Sequence, residues 1–356
     1  MSIACRGGHS AAVCEDGSLL VWGAGERGQL GLGFTRNLQA PSRPHRFAAP
    51  VNLVAAGDAH TGIVTSAGDL LMCGAGRHGR LGLGDEEDRT TPTLVARAVF
   101  DGEAVLMVAC GYAHTAVVTE GGGVYTFGCG GEGQLGHGDA ENQRVPTRIP
   151  TAQFNNGRVL MLTAGKRHTV ALSEEGHVFT WGHGGNGQLG QGSAEDLLSP
   201  RLLEPGRFGG EKMVFIAAGG DHTVAVTTGG LLYTWGFGEV GQLGHGDTSN
   251  RLVPTLVGAG AFGGSTVVMA ACGTVHTLVV THDGALWACG CGELGRLGLN
   301  DEEDRYSFER LGAEEFGGAR VVAAAAGWNH SVAVTEDGAL WTWGCGGSGK
   351  LGHGDR

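Results

Sequence analysis

An all-β fold, a seven-bladed β-propeller built from four-stranded antiparallel blades, is predicted by three observations. They are a 54-residue repeat, glycine at 69 of 356 positions, and the absence of helical periodicity inside the repeat. His60, His114, His168, His222, His276 and His330 recur at that constant 54-residue step, and His9 precedes the first of them by 51. Leu30, Leu81, Leu135, Leu189, Leu243, Leu297 and Leu351 each follow their own histidine at one unvarying offset, while Phe100, Phe154, Phe208, Phe262 and Phe316 keep the 54-residue step. Three markers in one register define seven units, and self-similarity at a fixed period is the signature of a repeat architecture.

The unit 105–150 shows what each copy contains. Val105-Leu-Met-Val-Ala-Cys110 is apolar and partly β-branched, and Gly111-Tyr112-Ala113 turns it into His114-Thr-Ala-Val-Val-Thr119. Gly121-Gly122-Gly123 leads to Val124-Tyr-Thr-Phe127, and a glycine-rich connection reaches Arg144-Val-Pro-Thr-Arg-Ile149. This reads as a four-stranded meander. Proline recurs in the last strand at 41, 92, 146, 200 and 254. Because proline removes a backbone donor, that strand belongs on the outer edge of its blade. A lone four-stranded sheet cannot bury both faces, so seven of them stack radially. No stretch of helical length, about 12 residues, carries an apolar 3.6 period, and the glycines would break a helix.

Composition narrows the function classes. Hydrophobic residues make up 41%, enough for a continuous core, and glycine without a three-residue period excludes collagen. No apolar run is long enough for a spanning helix, so no membrane association is expected. The formal net charge of −12, from 36 acidic and 24 basic side chains, repels phosphate and makes nucleic acid an unfavourable partner. Nine cysteines lack disulfide-framework spacing, and Met1–Arg6 lacks the apolar core of a secretory signal. The expected compartment is cytosol, nucleus or both. The sequence stops at Arg356, before a seventh copy of the outer strand would be reached. The expectation is therefore one propeller over 1–356, excised from a longer polypeptide, with a short last blade as the alternative.

The motifs that suggest chemistry dissolve into the repeat. Gly23-Ala-Gly25-Glu-Arg-Gly28 fits G-x-G-x-x-G, but the pattern recurs at Gly74, Gly128, Gly182, Gly236, Gly290 and Gly344 and opens no helix, as a phosphate site requires. These glycines read as turn chemistry. One histidine per unit, with no second ligand at metal spacing, reads as framework hydrogen bonding and not as a metal site. Cys289 stands where Trp22, Phe127, Trp181, Trp235 and Trp343 stand in other units, and Cys291 matches Cys129 and Cys345, so both are expected to fill core. No copy of the repeated histidine and threonine is set apart as a base with its nucleophile, so no catalytic residue, metal or cofactor is expected.

Gly165-Lys-Arg-His168-Thr-Val-Ala-Leu-Ser-Glu-Glu-Gly176-His-Val-Phe-Thr-Trp181-Gly-His-Gly-Gly-Asn-Gly187-Gln-Leu-Gly190 resembles the repeat signature of the regulator-of-chromosome-condensation family, and the pattern recurs seven times along the whole chain. The resemblance implies the propeller fold and a choice of functions. The first is a non-enzymatic interaction module, free-standing or set in a larger protein such as a giant ubiquitin ligase. The second is guanine-nucleotide exchange on a Ran-like small GTPase, which in the family uses a wedge inserted in one blade; the even spacing of the repeat leaves no unit with an insertion. The third is ultraviolet-B perception, which uses tryptophans from Gly-Trp-Arg-His-Thr motifs. The matching positions here are Gly220, Thr274 and Trp328, and Asn329 stands where that motif has arginine.

Specificity in a repeat protein belongs to positions that differ between copies. If strands alternate in direction, the turn before each histidine and the glycine-rich connection share one rim. That turn varies strongly, which nominates Asp58, Tyr112, Lys166, Arg167, Asp221, Trp328 and Asn329 as partner-binding residues. Tyr112, Arg167 and Trp328 lead, because aromatic and arginine side chains are favoured interface anchors. A second candidate is acidic: Asp85, Glu86 and Glu87 recur four units later as Asp301, Glu302 and Glu303, suited to a basic partner or a cation. The partner is expected to be protein, of unknown identity, with a small GTPase as the alternative.

Overall fold

The computed structural model describes residues 2–44, 47–258 and 260–354. Seven antiparallel sheets follow one another along the chain. In the third blade the strands run Val105–Cys110, His114–Thr119, Val124–Gly128 and Gln143–Ile149, from the axis outward. The first blade holds Ser2–Arg6, His9–Val13, Leu19–Gly23 and Leu38–Ser42. Prolines 41, 92, 146, 200 and 254 all lie in fourth strands, as expected of a residue with no donor to give. The seventh blade has three strands among the described residues, Val321–Ala326, His330–Thr335 and Leu340–Gly344. Its third strand is half-buried to exposed, where the equivalent Val178–Gly182 is fully buried.

Each core lies between two blades. Phe154, held by a turn of 3-10 helix over Thr151–Phe154, packs edge-on to Phe179 and Trp181 at ring-centroid distances of 5.4 and 5.9 Å. Second strands such as His168–Ser173 are wholly buried, which explains their uninterrupted apolar and threonine character. The glycine-rich connection of one blade is pressed onto the next. Trp181 Nε1 donates to the Gln134 carbonyl at 3.0 Å, Trp235 Nε1 to Gln188 at 2.9 Å, and Trp22 Nε1 to Lys350 at 2.9 Å across the ring closure. Gly136, at φ +80°, shows why glycine recurs: a Cβ there would lie 2.8 Å from Trp181 Nε1. Cys289 fills the tryptophan position as expected, fully buried with Sγ 3.5 Å from the Gln242 carbonyl. Burial pushes its thiol well above the usual cysteine range.

The strand directions create two faces. The turn before each histidine and the start of the glycine-rich connection meet on what we call the upper face, where Cys129 N donates to Ala113 O at 2.8 Å and His183 N to Arg167 O at 2.9 Å. The turns between second and third strands, and the links between blades, form the lower face, where Glu120 N donates to Ala104 O and Glu174 N to Arg158 O, both at 2.9 Å.

Candidate interaction surface on the upper face

The repeated histidines form a closed circle beneath the upper face. Each Nε2 meets the hydroxyl of the next blade: His60 with Thr115 at 3.1 Å, His114 with Thr169 at 3.0 Å, His276 with Ser331 at 2.9 Å, and His330 with Ser10 at 2.8 Å, which shuts the ring. Those hydroxyls donate onward to backbone carbonyls, Thr115 to Arg80 at 2.8 Å and Thr169 to Gln134 at 2.8 Å. A hydroxyl that gives its only proton away must accept the next one, so the imidazoles are neutral with hydrogen on Nε2. Every Nδ1 in the circle is buried without a partner. Burial holds His9 down at about 4 and His114, His222 and His330 at about 3. The expectation of framework histidines that bond within and between blades is met, with a side-chain hydroxyl as relay.

Glycine three residues before each histidine makes room for the ring: a Cβ on Gly57, Gly111 or Gly219 would sit 2.2 Å from the histidine Cε1. The first blade breaks this pattern with Arg6. Its side chain crosses the axis, Nη1 donating to Ala164 O at 2.6 Å and Nη2 lying 3.4 Å from Gly219 O. Arg6 therefore bars the upper end of an axial channel lined chiefly by small residues such as Ala56, Ala109, Ala218 and Ala325. Enclosure pulls its pKa below the ordinary arginine value, and Asp58 and Asp221 oppose that shift. The sequence reading did not single out Arg6, although its departure from the glycine of six other units was the available signal.

The seven variable residues surround this mouth on a circle of turns. Asp58 N donates to Gly111 O and Lys166 N to Gly220 O in neighbouring turns. Asp58, Asp221, Lys166 and Asn329 are half-buried. Desolvation raises the Asp58 carboxyl, countered by Arg6, Arg80 and Lys166. Tyr112 and Trp328 stand out at 39% and 41% exposed. Arg167 is partly engaged, with Nη1 3.1 Å from Glu132 Oε1. Among the described residues, Glu132, His183 and Asp196 could offer three ligand atoms to an ion. His183 Nδ1 already bonds Asp196 at 2.9 Å, and the Gly184 amide donates to the same carboxylate oxygen at 2.8 Å.

The acidic loops lie on the outer part of the same face and are largely neutralised where they stand. Asp85 pairs with Arg89 and Asp301 with Arg305, each at 2.5 Å, and Glu86 with Arg144 at 2.9 Å. Asp85 and Asp301 also accept from the Glu87 and Glu303 amides at 2.9 and 3.0 Å. Glu87, Glu302 and Glu303 remain exposed. The following residues, Asp88 and Asp304, accept from Gly76 and Gly292 at 2.9 Å, as Asn142 does from Gly130. Much of this charge thus shapes loops.

Comparison with known proteins agrees with the architecture. The RCC1-like domain matches residues 100–356, and the regulator of chromosome condensation (RCC1) repeat matches 16–64 and 67–118. The Ultraviolet-B receptor UVR8 of Arabidopsis thaliana is 38% identical over 307 residues, covering 86% of this chain and 68% of the receptor. The E3 ubiquitin-protein ligase HERC2 of Homo sapiens is 38% identical over 278 residues, which are 76% of this chain but 6% of that ligase. Among solved structures, Prp20p from Saccharomyces cerevisiae superimposes with a TM-score of 0.82 at 26% identity, covering 95% of this chain and 83% of its own. A ring of seven blades, the circle of histidines that joins them and these matches along nearly its whole length place the chain in the RCC1-like propeller family.

Proposed function

We propose that the ring binds partner proteins without catalysing a reaction, and that the upper face around the mouth barred by Arg6 is its working surface. The observation that carries this reading is the contrast within that face. A rigid repeated framework of histidine, threonine and glycine presents turns whose side chains differ in every blade, with Tyr112 and Trp328 exposed on top. Rigid support and exposed aromatic anchors are what interface hot spots require. A second reading, exchange of guanine nucleotide on a Ran-like GTPase, draws support from Prp20p, whose structure was described together with its binding to Gsp1p and histones. Ultraviolet-B perception draws less, since of Gly220, Thr274 and Trp328 one is aromatic.

The test is affinity capture by the ring beside a Tyr112→Ala, Arg167→Ala, Trp328→Ala variant. Loss of a captured protein from the variant supports the upper face. Equal capture by both sinks that choice. A GTPase among the proteins lost, with faster release of its bound nucleotide on adding the ring, moves the exchange reading to first place.

A further inference from the structure

The lower face carries a second surface that the variable turns do not touch. In blades two to seven the innermost strand slips register near its start: Val105 pairs with Thr119 and Met107 with Val118, so Leu106 is the extra residue of a β-bulge. The same slip isolates Leu160, Val214, Val268 and Val322, and Asn52 in the second blade. A bulge re-aims a side chain. Here it turns five aliphatic side chains out to solvent, at 41%, 39%, 53%, 47% and 55% exposed, on five consecutive blades round the lower mouth. The next residue along, Met107, Met161, Phe215 or Met269, is half-buried and packs against the core between blades. Single exposed aliphatics need no explanation, but a repeated arc of them, backed by methionine in three blades, does.

The surroundings of the arc select its occupant. Each lower turn is tied by its backbone to the strand two residues before a bulge, Glu120 N to Ala104 O, Glu174 N to Arg158 O and Glu336 N to Arg320 O, all at 2.9 Å. Glu120, Glu174, Glu175, Asp283, Glu336 and Asp337 are exposed on these turns. Three cations stand among them, Arg158 and Arg320, held to the carbonyls of Glu120 and His282 at 2.6 and 2.5 Å, and exposed Lys212, so the six carboxylates outnumber them. We propose that the lower mouth docks a basic segment of a partner protein, with apolar anchors seated on Leu106, Leu160, Val214, Val268 and Val322 and lysine or arginine side chains facing the surrounding carboxylates. A second copy of this chain would bring the same acidic rim against itself, well within the Debye length of about 8 Å at physiological salt. An anionic lipid surface meets the same repulsion.

The test uses a fluorescent helical peptide with leucine at every third or fourth position and lysine elsewhere, beside a twin with glutamate for lysine. The expected result is binding of the lysine peptide, weakened at least about tenfold by Leu160→Asp with Val214→Asp. Glu174→Gln with Glu336→Gln should weaken it and flatten its salt dependence, while Tyr112→Ala with Trp328→Ala leaves it unchanged. Melting by circular dichroism confirms that each variant is folded. The proposal is overturned if both peptides bind alike, or if the lower-face variants bind as the parent does. It is overturned equally if Leu160→Asp abolishes self-association in sedimentation, or if the ring binds phosphatidylserine vesicles in preference to the lysine peptide.

Discussion

The upper and lower faces are cut from the same seven repeats, yet they solve opposite problems. On the upper face the inner strand turns directly into the buried histidine, each histidine is bound to the next blade by its side chain, and four of the turns are also bound to a neighbour by backbone. On the lower face the inner strand of blades two to seven starts with a bulge that frees one side chain from the sheet. Repetition therefore makes the upper half rigid and polar, with identity carried by a few turn residues. The lower half gains an apolar arc set within an acidic rim. A repeat can supply two unlike surfaces because a strand's two ends need not obey the same pairing rule.

The sharpest way to break this comparison is acid. Burial holds His9 at about 4 and His114, His222 and His330 at about 3, and pushes His60, His168 and His276 well below the 6.5 of the free side chain. The unfolded chain thus takes up protons that the folded ring refuses. The stabilisation is complete above pH 6.5 and is lost as pH falls toward 4, at about 1.4 kcal/mol per histidine per pH unit. Seven such groups rival the whole stability of a typical domain, about 5–15 kcal/mol. Urea midpoints measured between pH 7.5 and 4.5 should collapse below pH 6. A flat profile would mean that the circle does not hold the upper half together.

Next in size is the joint between blades. Trp235→Ala removes a fully buried ring and its bond to Gln188, and should cost about 3–5 kcal/mol by denaturant unfolding. Trp343→Ala should cost less, because that ring is half-buried although its bond to Arg296 stands at 3.0 Å. Equal losses would deny that burial of the ring sets the strength of the joint. Smaller still, Arg6→Ala removes two contacts across the axis, one of them at 2.6 Å, and is expected to destabilise by about 1–3 kcal/mol while leaving the lower face intact. The smallest effect belongs to the bulges: Val322→Ser should stay within about 0.5 kcal/mol of the parent, since that residue is the most exposed of the five at 55%.

Much of this was legible before any coordinates. Spacing alone placed the blades, proline placed the outer strands, and recurrence disarmed the glycine and histidine motifs. Two features were not. Arg6 reaches a carbonyl 158 residues away, and only the closed ring brings Ala164 to it. The residue at 106 looks like one more apolar position in Val105–Cys110 until the pairing with Thr119 and Val118 shows the slip. A bulge is a property of two strands, and a linear pattern shows one at a time. Tyr112 and Trp328 were reachable because they differ from their counterparts. Arg167 was reachable too, but its pairing with Glu132 in the previous blade was not.

The closure of the ring has a consequence for how it can be cut. His330 joins Ser10 by the histidine–hydroxyl bond found at every other joint, and Trp22 joins Lys350 as Trp181, Trp235 and Trp343 join the blades before them. The first blade draws all four strands from residues 2–42, and among the described residues no strand of the seventh blade pairs with it. Among the described residues, the buried apolar cluster at this joint, Cys5, Ala325 and Val332, is smaller than at the other joints, so the circle closes more by hydrogen bonds than by packing and should open there first.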